Sequence, residues 1–121
     1  MARVALLGFP RDLANQLTRL LLAEGHTVEL KRYVQDLAKR PKPSAVFLCG
    51  DSPDFQETVT ALKESEPGLP FVVTTRLPDP GQWLNALEAG AADYCGAPFD
   101  TVQVRWVMSS LTRQEATPVA A

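Results

Sequence analysis

The sequence predicts a single α/β domain built on a parallel sheet with helices on both faces. Three observations predict it. Short apolar runs alternate with amphipathic stretches of helical period, as a chain of βα units requires. Gly or Pro closes most of these segments, which separates strand from helix. At 121 residues, 45% of them apolar, the chain suits one core and has no room for a second domain.

The elements follow in order. Val4-Ala5-Leu6-Leu7 is too short for a helix and is stopped by Gly8-Phe9-Pro10, so it reads as a central strand buried on both faces. Leu13, Leu17, Leu20 and Leu21 form one apolar helical stripe, and Gly25 stands where a left-handed cap is needed. Val28 and Leu30 alternate with Thr27, Glu29 and Lys31, the pattern of a strand near a sheet edge. Only a short helix over Val34 to Arg40 fits before Pro41 and Pro43. Ala45 to Cys49 is the next buried strand; Gly50-Asp51-Ser52-Pro53 then offers a loop, an N-cap at Ser52 and a proline at the first helical position. Phe55, Val59 and Leu62 give the third helix its inner face, and Gly68 and Pro70 end it. Phe71 to Thr75 is a strand rich in β-branched residues. Asp79-Pro80 opens a fourth helix through Trp83, Leu84 and Leu87, closed by Gly90. Ala92 to Cys95 is a short fifth strand, and Asp100 caps a last helix carrying Val104, Val107 and Leu111 on one side. Residues 114–121 read as a flexible tail, which leaves 1–113 as the folded domain.

Five strands alternating with five helices imply right-handed crossovers and a flavodoxin-like, doubly wound sandwich of strand order 2-1-3-4-5. In such sheets ligands sit at the carboxyl ends of the strands that flank the reversal of order, here the residues after Leu7 and after Cys49.

Composition excludes several classes. A net charge of −2 is too small to steer the chain to nucleic acid or an anionic membrane, and no apolar run approaches a membrane span. No targeting segment is legible at the N-terminus, so a cytoplasmic location is expected. Cys49, Cys95 and the lone His26 have neither disulfide-framework nor metal-ligand spacing, and buried thiols are expected. There is no Gly-rich phosphate loop and no Ser with a His partner, so no enzyme activity and no cofactor are expected. Lys31, Arg32, Lys39, Arg40 and Lys42 read as a solvated basic face.

Leu87-Glu88-Ala89-Gly90-Ala91-Ala92-Asp93-Tyr94-Cys95-Gly96-Ala97-Pro98-Phe99 resembles the segment that ends response-regulator receiver domains. Further landmarks are Pro10, Gly25-His26 with Val28, the strand from Ser44 to Leu48, Pro53, Pro70 and Thr75. The resemblance covers nearly the whole chain, with the region from Tyr33 to Lys42 shorter than usual. It implies a site of five positions: two acids that hold Mg²⁺, an Asp phosphoacceptor, a Thr or Ser, and a Lys. Here the acidic pair falls on Leu7 and Gly8, the acceptor on Cys49 and the Lys on Ala97; Thr75 alone keeps its chemistry. Mg²⁺ requires hard oxygen ligands and a thiol forms no acyl phosphate, so a degenerate pseudo-receiver is expected.

Asp51, two positions beyond Cys49, is a weak alternative acceptor; we read it as a turn residue that bonds nearby backbone N–H groups or favours the following helix. Asp12 reads as a first-turn helix charge. Arg76 is a solvated loop residue or a cation over the vacant site, and Cys49 is an inert thiol unless its neighbours lower its pKa. Thr75 and Tyr94 match the receiver pair that couples site to surface. Trp106 is either an interface anchor or packed at a helix edge, and with Tyr94 it marks a face formed by the fourth helix, fifth strand and fifth helix.

The expectation is a stand-alone domain of bacterial signalling that acts by protein–protein contact, with self-association through that face as one form. The alternative is a small-molecule or anion sensor using the carboxyl-end crevice, lined by Leu7, Phe9, Cys49 and Arg76. A filled crevice favours the first and an open one the second.

Overall fold

A computed structural model of the protein describes residues 2–76 and 80–116, with side chains through Leu111. Five parallel strands, β1 (Arg3–Leu7), β2 (Thr27–Lys31), β3 (Ala45–Cys49), β4 (Phe71–Thr75) and β5 (Asp93–Gly96), lie in the order β2-β1-β3-β4-β5. This is the expected flavodoxin-like sandwich. The three central strands are buried on both faces, which is why they read as unbroken apolar runs.

The helices are α1 (Arg11–Ala23), α2 (Phe55–Ser65), α3 (Pro80–Glu88) and α4 (Thr101–Ala116). On one face Leu13, Leu17 and Leu21 of α1 and Val104, Val107 and Leu111 of α4 cover Val4, Leu6, Phe47 and Val72. On the other, Val59 and Leu62 of α2 and Ala86 of α3 cover Ala5, Leu7, Val46, Leu48 and Val73. Gly25 closes α1 at φ +90°, as its position requires.

Two local expectations are corrected, and the structure adds the orientation of α3. The short helix before Pro41 is a five-residue 3₁₀ turn, Val34–Ala38, so the described residues form four α-helices rather than five. Its one buried anchor is Leu37, too little apolar surface to hold a longer helix ahead of two prolines. Helix α2 begins at Phe55, because Ser52 bonds the Asp54 carboxylate instead of capping the helix. In α3 the large apolar side chains face outward and only Ala86 is buried. Asp79, the expected opening of α3, lies outside the described residues, as do 117–121 of the expected tail; 114–116 belong to α4. Asp100 caps α4 as expected, its carboxylate accepting the Gln103 N–H at 2.8 Å. No helix among the described residues is long and apolar enough to cross a membrane.

Candidate functional site

The carboxyl end of the sheet collects Leu7, Gly8, Cys49, Asp51, Thr75, Arg76 and Ala97, as the strand order requires. Leu7 and Cys49 are buried core residues, and Gly8 takes φ +71°. Ala97 donates its backbone N–H to the Thr75 carbonyl at 2.9 Å. None of the four carries a hard oxygen ligand or a cation on its side chain.

Asp51 fills the space between the strand ends. Its Oδ1 accepts the Thr75 hydroxyl at 2.6 Å and its Oδ2 accepts the Arg76 N–H at 2.8 Å. Gly50 makes this possible. Its N–H bonds the Thr74 carbonyl at 2.7 Å, and a Cβ there would lie 2.8 Å from Cγ1 of Val73, so only glycine lets the chain leave β3 so close to β4. The sequence assigned Asp51 to local turn bonds; its partners are instead 24 and 25 positions away.

Arg76 is neither a free loop cation nor a lid. Its guanidinium makes a bidentate pair with Asp12 of α1, at 2.6 and 2.8 Å. That hydrogen bonding holds the Asp12 carboxyl below its ordinary range and raises the arginine. A chain of contacts therefore runs from Asp12 through Arg76 and Asp51 to Thr75, tying the start of α1 to the ends of β3 and β4.

These donors do not fit Mg²⁺. Both oxygens of Asp12 and both of Asp51 have protein partners, and the acid-pair positions are Leu7 and Gly8. Among the described residues no three His, Cys, Asp or Glu side chains come together. Cys49 is poorly placed for thiolate chemistry, because burial raises its pKa and the Asp51 charge adds to the rise.

Asp51 occupies the crevice beside Thr75 and Arg76, as the contact reading expects, and the open spaces lie to either side of β1. A cavity of about 450 Å³ is lined by Leu7, Cys49, Tyr33 and Phe55, and another of about 610 Å³ by Phe9, Arg11, Leu30 and Arg32; Gly8 and Arg32 border both.

Tyr94 is half-buried and donates its hydroxyl to Oε1 of Gln82 at 3.1 Å. Edge strand β5 packs against both α3 and α4. Beside it Trp83, Leu84 and Leu87 of α3 and Val102 and Trp106 of α4 are exposed, Trp106 to 65%. The outward side chains of α3 were missed in the sequence, although Ala86 between them is the one small residue that fits against the sheet.

No family model and no curated protein matches the sequence. Solved structures do. NtrX of Brucella abortus superposes with a TM-score of 0.81 at 20% identity over 94% of this chain, which spans 28% of the length of NtrX. The BeF3-activated DrrB receiver domain is 26% identical with a TM-score of 0.73, covering 93% of this chain and 99% of that one. A CheY-like response regulator receiver domain protein of Methanospirillum hungatei JF-1 is 17% identical with a TM-score of 0.77, covering 98% and 99%. In strand order, helix placement and overall superposition, this chain has the fold of a response-regulator receiver domain.

Proposed function

We propose that this receiver-fold domain is a pseudo-receiver of bacterial signal transduction: a cytoplasmic, non-enzymatic module that acts by protein–protein contact without aspartyl phosphorylation. One observation carries the proposal. Asp51, part of the chain itself, already brings negative charge to Thr75 and the Arg76 amide, while no acid pair, acceptor Asp or Lys surrounds it. Charge-assisted bonds of this kind are about twice as strong as neutral ones, so Thr75 is held by an internal anion. The partner surface is the face of α3, β5 and α4, where Tyr94 is tethered to Gln82 and Trp106 is exposed.

The test is incubation with Mg²⁺ and acetyl phosphate followed by intact-mass measurement. No added phosphoryl mass is expected. A hydroxylamine-labile adduct on Asp51 would overturn the proposal.

A further inference from the structure

We propose that the 610 Å³ cavity between the start of α1 and the end of β2 binds a small amphipathic anion, an oxyanion head on an aromatic or aliphatic body. Its volume lies in the range of small-molecule sites. The apolar part of the wall is Phe9, half-buried, and Leu30, which is 63% exposed because α1 leaves the end of edge strand β2 uncovered. The polar part is Arg11, Arg32 and Asn15.

The two arginines decide the ligand's charge. Arg76 and Arg105 each close a bidentate pair with a carboxylate, Asp12 and Glu24 respectively. Lys31, Lys39 and Lys42 each have a carboxylate within 4 Å. Arg11 and Arg32 have neither an ion pair nor a hydrogen bond among the described residues, and they reach one cavity from different elements. Guanidinium forks match planar oxyanion edges, and the uncapped start of α1 adds a favourable dipole. The nearest acid on α1, Asp12, is occupied by Arg76, and Glu29 lies 3.8 Å from Lys31. Gly8 keeps the floor open: its N–H is held by the Lys31 carbonyl at 2.9 Å, its φ is +71°, and a Cβ there would meet nothing. The sequence offered Arg76 as the cation of a crevice lined by Leu7, Phe9 and Cys49; the structure commits Arg76 to Asp12 and leaves Arg11 and Arg32 for a ligand.

The probe is 1-naphthyl phosphate, titrated into the ¹⁵N-labelled full chain and followed by NMR. Saturable shifts centred on Gly8, Phe9, Asn15, Leu30 and Arg32 are expected, with a dissociation constant of about 1 mM or tighter. The R11Q/R32Q double variant should bind at least about tenfold more weakly, as should Leu30→Asp, with spectral dispersion unchanged because all three side chains are exposed. Inorganic phosphate and 1-naphthol should each bind about tenfold more weakly than the probe, which separates a built amphipathic site from an ion or an apolar patch. No saturable shift, undiminished binding by the double variant, or equal affinity for inorganic phosphate would each overturn the proposal. The contact function is tested by mass and by partner binding, so the two readings fail separately.

Discussion

The Thr75 hydroxyl, on a residue only 1% exposed, donates to the exposed carboxylate of Asp51 across 2.6 Å. A buried donor depends here on a loop acceptor. Asp51→Ala should therefore destabilise the domain by about 1–3 kcal/mol, the range for leaving a buried polar group unpaired. Asp51→Asn, which keeps one acceptor oxygen, should lose less. Urea unfolding of the two variants checks the order; equal stability of all three proteins would mean that the Asp51 acceptor contributes nothing to folding.

Gly50→Ala places a methyl against Val73, a stiff and buried neighbour. The expected loss is about 1–3 kcal/mol, as for other overpacked positions. The resonances of Thr75 and Arg76 should move with it, because Asp51 cannot keep both bonds once the strand end is pushed away. Heteronuclear spectra of the variant show whether it does.

Trp106→Ala should change folding stability by no more than about 0.5 kcal/mol, since the side chain is 65% exposed. Phe47→Ala, at a fully buried position, should cost about 3–5 kcal/mol. If the face of α3, β5 and α4 is the contact surface, the same Trp106 change should weaken self-association or partner binding by about 1–2 kcal/mol, measured by sedimentation or calorimetry. A Trp106 variant that unfolds would place the residue in the core.

The two thiols should resist modification in the native state. Burial pushes Cys95 up to about 11, and burial with the Asp51 charge raises Cys49. Ellman's reagent near pH 8 should label neither until denaturant is added, after which both react at once. Rapid native labelling of Cys49 would make it a reactive site.

His26 should favour folding at higher pH. Burial lowers its pKa below the ordinary imidazole value, and its Nδ1 accepts the Ala2 N–H at 3.1 Å in the neutral form. The unfolded chain therefore binds the extra proton first as pH falls, and this contribution is lost from about pH 6.5 downward through the folded pKa. His26→Gln should flatten that part of the stability profile; an imidazole titrating above its ordinary value in the folded protein would reverse the sign.

The fold was largely legible because its signals are local. The leucine stripe of α1, the apolar runs of β1, β3 and β4 and the Asp100 cap each lie within a few positions and need no knowledge of the rest. For the site, the sequence offered Leu7, Gly8, Cys49 and Ala97 at the strand ends, and the structure brings all four to the carboxyl end of the sheet. What occupies the space was not. Asp12 and Arg76 are 64 positions apart, and nothing in either segment marks them as partners. Asp51 sits in a turn motif that usually explains itself, so its reach to Thr75 emerges only when β3 and β4 are laid side by side. Arg11 and Arg32 are likewise brought to one cavity by strand order alone.

Asp51 is encoded, so the anion beside Thr75 is present in every copy of the protein from the moment it folds. A phosphoryl group has a lifetime, and a cell can read how long it lasts. A carboxylate in the chain has none, so a domain that works as proposed carries no clock. On that reading what varies is abundance: output follows synthesis and degradation, and the timing of the response is the timing of the protein's own turnover.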